Sequence, residues 1–495
     1  MVISRKNRRT YMGHLKFIFL PCLLLVWQIA KPFEILNGTS KYMVIEAPVE
    51  VLPNLQENYE DLDFLGIDFL KRKVQIRVAG QEYHDIMSKY EDVTSLNSSS
   101  FVSSNLGNYK SPDQVLEIIY QLELDHPELV KGFEVGLSTE GRAIRGIILS
   151  SHSDGKPDDA KPSLLFNAMH HARELMTTEV VLDIADYLVS NYDQDEEVRG
   201  WLDHYRIILV PQVNPDGNQR VHDGNRWWRK NTWLKRSRVT GVDLNRNYPT
   251  LWNGCNGSSG NEGRQDYRGP SPASEPETKA MMALVAKYKP ILNVSYHSYS
   301  ELIIYPYGCR SEINPSKQIF HEIPLDMKKA IIDDDGEADS YRVGTAPELL
   351  YQADGTDLDY QWQQHNVIAY TIEINSRSLG FQPSYEDWRD ITVERQRGSW
   401  KTLLKRMSRG GVTAQIQSNE EVTYKLNKSD NGSPVSWDKG IWSKNMNPRS
   451  STLIFELLSA GTYTLVATNK NQKEIVRTFT IENNIIDLGL LDFNS

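Results

Sequence analysis

Three separated stretches of this chain carry residue types that could share one cation. The first is His170-His171-Ala172-Arg173-Glu174, which follows the apolar run Leu164-Leu165-Phe166. An imidazole and a carboxylate three residues apart can converge on one ion, and zinc takes such neutral nitrogen and anionic oxygen donors. By itself the His-x-x-Glu pattern is weak, because four-residue patterns recur by chance in long chains. The second stretch is His297-Ser298-Tyr299, at the end of the apolar run Ile291–Tyr296. The third is Glu373, which closes Val367–Ile372. An acid carried on an apolar strand is costly unless it has a purpose or a partner. Guanidinium groups recur nearby in Arg173, Arg229 and Asn245-Arg246. A guanidinium fork matches a carboxylate bidentately, although any one of these arginines alone reads as a solvated charge.

The elements that must position these groups are legible as runs. In an open α/β sheet, ligands bind beyond the carboxyl ends of the strands. His171, His297 and Glu373 each lie at or near such an end. A helical stripe of Val180, Val181, Ile184 and Leu188 follows Glu174. Another strand-like run, Arg206–Val213, enters the turn Asn214-Pro215-Asp216-Gly217. Upstream, Ser111-Pro112 with Gln114 predicts a capped helix carrying Val115, Ile118, Ile119 and Leu122 inward.

Taken in order, His171-x-x-Glu174, Asn214-Pro215-Asp216-Gly217, Arg229, Asn245-Arg246, His297-Ser-Tyr, Tyr351 and Glu373 resemble the motifs of the zinc metallocarboxypeptidases of the A, B and T kind. The resemblance spans about residues 108–408. It implies an α/β fold, a three-layer α/β/α catalytic domain around a mixed central sheet. It implies one Zn2+ per chain, with His171, Glu174 and His297 as ligands and an open position for water, as a catalytic site requires. His170 is the competing imidazole and is read as structural or as a support to the ligands. Glu373 is similar to the general base, and Arg229 to the group that polarises the scissile carbonyl and holds the oxyanion. Asn245 and Arg246 resemble the clamp on the substrate's terminal carboxylate, Arg173 an auxiliary substrate-binding residue, and Tyr351 the mobile tyrosine that closes over substrate.

By the same matching, Ile304, Gly308, Leu350, Ala353, Thr356, Leu358 and Thr371 line the pocket for the terminal side chain. Leu358 stands where a basic-specific member carries Asp, which favours apolar or aromatic C-terminal residues. Asp354 and Asp357 lie close by and could attract a cation. Thr356 replaces a family Gly, and Leu175 stands where many members have Trp. The activity implied is removal of the C-terminal residue from peptides or proteins. A cell-wall peptide or acyl-amino-acid amide hydrolase with the same zinc site is the alternative, and an inactive peptide-binding module is a third reading.

Composition bounds the rest. With 39% hydrophobic and 24% charged residues, the 495-residue chain has enough apolar material for a sizeable core. Its net charge of −10 argues against a nucleic-acid binder that relies on a broad basic surface. Three cysteines exclude a disulfide-dense scaffold. Residues 1–30 combine Arg5, Lys6, Arg8, Arg9 and Lys16 with the apolar run Phe17–Ala30, and read as a signal peptide, with an uncleaved membrane anchor as alternative. Otherwise no stable membrane span is expected. The protein is then secreted, periplasmic or extracellular, and Cys255 and Cys309 are either bridged or two free thiols. Sequons stand at Asn37, Asn97, Asn256, Asn293, Asn427 and Asn431. Residues 42–95 read as a small α+β unit in the place of the family's pro-segment, a folding aid or an inhibitor. Residues 95–106 read as a linker. Residues 411–495 read as a small antiparallel β-sandwich resembling a transthyretin-like module.

Overall fold

The structure, a computed structural model, describes residues 42–59, 62–68, 71–96, 105–151, 161–235, 238–309, 317–430, 433–436, 444–446 and 452–494. The N-terminal run 1–30 and the sequons at Asn37, Asn97 and Asn431 lie outside these residues. Among the described residues no helix is long and apolar enough to cross a membrane.

The N-terminal segment folds as β1 (Tyr42–Pro48), α1 (Leu52–Asn58), β2 (Leu62–Asp68), β3 (Lys73–Ala79), α2 (Gly80–Lys89) and β4 (Thr94–Leu96). Its sheet runs β2-β3-β1-β4 with antiparallel pairing throughout. Alternation along β1 gives the sheet two apolar faces. Ile45 and Ala47 join Leu55, Ile76 and Ile86 in a core under the helices. Val44 points the other way and, with Leu65, packs on Tyr299 and Phe381.

The central part follows as α3 (Pro112–Asp125), β5 (Val130–Leu137), β6 (Ala143–Leu149), β7 (Ser163–Ala168), α4 (Leu175–Asn191), α5 (Glu196–His204), β8 (Arg206–Val210) and α6 (Pro215–His222). A short ribbon, β9 (Leu234–Lys235) and β10 (Arg238–Val239), precedes α7 (Pro276–Tyr288) and β11 (Leu292–Ser298). Then come β12 (Leu302–Ile304), α8 (Lys317–Ala330), β13 (Arg342–Gly344), α9 (Ala346–Leu349), α10 (Asp357–His365), β14 (Ile368–Ile374) and α11 (Tyr385–Arg406). Ser111 and Gln114 form the expected reciprocal cap of α3.

Eight strands pair in the order β13-β12-β14-β11-β7-β8-β6-β5. The inner strands β14, β11, β7 and β8 run parallel, while β6 and β12 run antiparallel to their inner neighbours, so the sheet is mixed as expected. Side chains alternate between two cores. On β7, Leu164 and Phe166 enter the core with α4 and α11, and Leu165 enters the one with α7 and α10. This is the three-layer arrangement.

The C-terminal segment contributes β15 (Gly411–Gln417), β16 (Val422–Asp430), β17 (Ser433–Ser436), β18 (Lys444–Met446), β19 (Thr452–Leu457), β20 (Gly461–Asn469), β21 (Glu474–Ile481) and β22 (Ile485–Asp492). Two small sheets result, and the strands pair antiparallel except β15 with β22, which run parallel.

Candidate active site and metal centre

On β14, Ile368, Tyr370, Ile372 and Ile374 all enter one core. Alternation therefore leaves Ala369, Thr371 and Glu373 on the opposite face. On β11, Val294 and Tyr296 enter that same core, which turns Ser295 and His297 to Glu373's side. His297 and Glu373 are register partners across the parallel pair. His171 arrives from the loop after β7, where Met169 adopts a left-handed φ of 60°. Glu174 is the residue just before α4.

Three donors meet at one point. His171 Nδ1 lies 2.8 Å from Glu174 Oε1, His297 Nδ1 lies 3.0 Å from Glu174 Oε2, and the two Nδ1 atoms are 3.1 Å apart. Donors bound to a tetrahedral zinc at 2.0–2.2 Å lie roughly 3.3 Å from one another. The second nitrogens have partners of their own. His171 Nε2 is 3.1 Å from Asp243 Oδ1, and His297 Nε2 is 3.2 Å from Ser295 Oγ. With its Nε2 proton on Asp243, His171 presents a lone pair at Nδ1 to an anionic oxygen. Such a pair of acceptors is reconciled by a cation, so the residues fit the metal.

His170 stands outside this set. Its Nε2 is 2.9 Å from Tyr248 Oη, and its ring stacks on His297 at 5.6 Å. Burial, and then the two neighbouring imidazoles, push it well below the ordinary histidine range, so it is neutral.

Glu373 lines the same cavity as the three ligands, together with Arg173, Arg229, Asn245, Arg246 and Tyr351. Burial, and then the Glu174 carboxylate, push Glu373 well above the usual carboxylate range, while Arg229, Arg246 and Arg173 pull it back. Asp243 is the residue that sequence reasoning missed. Besides His171 it accepts from Arg229 Nε at 3.1 Å and Nη2 at 2.9 Å. Its signal was the rule that a metal-bound histidine gives its other N–H to a carboxylate. Arg246 donates Nη1 to the Asn245 carbonyl at 2.6 Å and Nε to the Gly257 carbonyl at 3.1 Å, which orients its fork. The Asn245 side-chain oxygen accepts from the Asp357 N–H at 2.8 Å, so its amide nitrogen turns away from α10.

Ile304, Gly308, Leu350, Ala353, Thr356, Leu358 and Thr371 all line the cavity. The two nearby acids do not. Asp354 is spent on the Ser258 hydroxyl and on the N–H groups of Cys255 and Gly257. Asp357 accepts both bonds from the Gln361 amide at 2.9 and 2.8 Å, and burial raises it to about 6. Leu175, the first residue of α4, is buried in the core. Cys255 and Cys309 are bridged, with Cα atoms 5.5 Å apart. The bridge ties the loop after Arg246 to the one after β12. Asn293 is fully buried in β11, which leaves its sequon inaccessible.

Arg173 is already engaged. Its Nη2 donates to Asp63 Oδ1 at 3.1 Å, its Nη1 to Asp63 Oδ2, and Phe381 lies under its guanidinium at 4.2 Å. Asp63 also pairs with Arg77 at 3.1 Å. Phe64 and Leu65 of β2 complete the cavity wall, and Phe64 packs on Tyr351 with ring centres 6.1 Å apart. The N-terminal segment thus lies across the mouth of the site.

A family profile described as zinc carboxypeptidase matches residues 115–396, more than half of the chain. The chain belongs to the zinc carboxypeptidase family. Carboxypeptidase A1 of Mus musculus is 30% identical over 366 residues, which cover 68% of this chain and 84% of that one. Among solved structures, the carboxypeptidase A of Helicoverpa armigera shares the fold with a TM-score of 0.64 at 22% identity, covering 73% of this chain and 96% of that one. Thrombin activatable fibrinolysis inhibitor shares it with a TM-score of 0.62 at 21% identity, over 74% of this chain and 98% of that one. This zinc carboxypeptidase is therefore a metallopeptidase that hydrolyses C-terminal peptide bonds, and its His171, Glu174 and His297 fit a single zinc ion.

Proposed function

We propose that this zinc carboxypeptidase is an exported enzyme that removes apolar or aromatic C-terminal residues. One observation carries the reading: one cavity is lined by the zinc ligands, by Glu373 and the three arginines, and by a wall from which Asp354 and Asp357 are turned away. A zinc ion in the His171–Glu174–His297 site supplies Lewis-acid polarisation of the carbonyl and acidification of water. Glu373 takes the proton from the attacking water and passes it to the leaving amine. Arg229 donates to the oxyanion, where one such donor is worth about 10²–10³ in rate. Asn245 and Arg246 hold the terminal carboxylate, Arg173 an upstream part of the peptide, and Tyr351 closes over them. Leu358 and its apolar neighbours receive the last side chain.

We read residues 42–95 as an inhibitory pro-segment, since Asp63, Phe64 and Leu65 stand where an incoming peptide must pass. The working partners are peptide and protein C-termini. Blocked dipeptides varied only at the last residue, with and without a chelator, test the function. Chelator-sensitive release of Phe, Tyr or Leu is expected. Faster release of Lys or Arg than of these would overturn the preference.

A further inference from the structure

Two backbone carbonyls aim the Arg246 guanidinium, those of Asn245 at 2.6 Å and Gly257 at 3.1 Å. The first belongs to its neighbour in the chain. The second belongs to a loop eleven residues further on, and it can aim a side chain only if that loop is held. Asp354 holds it. The Asp354 carboxylate is fully buried and accepts from the Cys255 N–H at 3.2 Å, the Gly257 N–H at 3.1 Å and the Ser258 hydroxyl. Three donors of one short loop converge on this one side chain. Bonds from backbone N–H groups to an ionised carboxylate are roughly twice as strong as neutral ones.

Asp354 also stands three residues after Tyr351. The two segments run in close backbone contact: a Cβ added to Gly257 would lie 2.7 Å from Ala353 Cα and from the Asp354 nitrogen. On their other side, the Ala353 N–H donates to the Gly308 carbonyl at 2.9 Å and the Gln352 amide to the Cys309 carbonyl at 3.2 Å. The Cys255–Cys309 bridge closes this frame. Tyr351 and Arg246 therefore hang from one support, and the guanidinium carbon lies 6.0 Å from the tyrosine ring centre.

We propose that Asp354 is a positioning residue, which locks the loop of Cys255, Gly257 and Ser258 so that the Gly257 carbonyl aims Arg246 at the substrate's terminal carboxylate. The inference rests on the reading of Arg246 as the carboxylate clamp. Asp354 does not line the cavity and acts only through the loop. Without its carboxylate, two buried N–H groups lose their acceptor, the Gly257 carbonyl shifts, and the guanidinium keeps only its bond to Asn245.

The test uses a blocked dipeptide analogue ending in Phe, with a CH2–CH2 link in place of the scissile amide, prepared as the free acid and as the primary amide. Equilibrium dialysis against the zinc-loaded full-length protein gives both dissociation constants. Their ratio, amide over acid, reports the clamp and does not depend on how much of the protein has its cleft open. Asp354→Asn keeps the size but sets an NH2 group against N–H donors. It should lower the ratio about tenfold, the scale of one weakened bond to a charged group. Ser258→Ala, which removes one of the three donors, should lower it by a smaller factor. In an Arg246→Gln background, Asp354→Asn should change the ratio no further, because the two residues act in series. Thermal unfolding and zinc content identify folded variants. A ratio unchanged in folded Asp354→Asn, or in Ser258→Ala where Asp354→Asn does not fold, overturns the inference alone. So does a further fall in the Arg246→Gln background. A wild-type protein that binds the acid no better than the amide, or binds neither, overturns the clamp reading and this inference with it.

Discussion

At the scale of single residues, the site is a set of charges that hold one another in place. Asp243 is the hinge of that set, because it both orients His171 and anchors Arg229. Asp243→Asn should weaken zinc binding about 10–100-fold, the usual cost of losing a carboxylate behind a metal-bound histidine. Chelator competition measures this directly, and unchanged zinc affinity would show that His171 is oriented by something else. Glu373 makes the opposite prediction. It touches the cavity without belonging to the donor triad, so Glu373→Gln should abolish turnover while zinc content stays at one per chain. An active Glu373→Gln variant would remove the base from the mechanism.

At the scale of elements, β2 is the strand of the N-terminal segment that lines the candidate site. Asp63 brings a carboxylate to two arginines in a buried contact. Burial by itself would raise the Asp63 pKa, but Arg173 and then Arg77 hold it down at about 2. Asp63→Ala leaves Arg173 buried without its partner, which is the costly way to break such a pair. Full-length Asp63→Ala should therefore hydrolyse peptides faster than the wild type. Equal rates would mean that β2 is no barrier. The pH dependence has a definite sign. A carboxyl held below its unfolded value of about 3.9 stabilises the paired state above that pH, and loses this as pH falls through its folded value. Protection of β2 amides from hydrogen exchange, corrected for intrinsic rates, should persist at about pH 5 and fall only as pH approaches 2. Loss of protection already near pH 5 would assign the contact to another group. A second ion pair, Arg377 with Glu46 at 2.9 Å, supports the same surface.

At the scale of the whole molecule, the sandwich and the catalytic domain are not separable by packing. Leu403, Leu404 and Met407 at the end of α11 share one apolar cluster with Val412, Leu457 and Leu458. Truncation after residue 408 would expose this surface to water, at roughly 25 cal/mol for each Å² of apolar area. The truncated protein should unfold at a lower temperature than the full chain, as calorimetry would show. An unchanged Tm would make the sandwich a passenger.

The donor set was legible because its members are chemically distinctive and sit at the ends of apolar runs. His171, His297 and Glu373 stood out by residue type at or near the ends of apolar runs, and the family resemblance assigned their roles. The N-terminal unit was legible as a small α+β segment over residues 42–95, but α1 and β2 within it were not seen. Yet β2 carries Asp63, the residue nearest to a function in that segment. An ordinary Asp in a short run gives no local sign that its partner lies 110 positions away. Asp354 and Asp357 show the converse. Their sequence positions beside the pocket allowed a cationic specificity, and only the loop and helix bonds they accept turn them aside.

Chemical capability is thus written in the order of side chains, since the ability to bind a metal or move a proton belongs to the functional group itself. Which groups are satisfied by neighbours and which are left over is a property of packing. It depends on distances between segments that the chain brings together only when its apolar faces leave water.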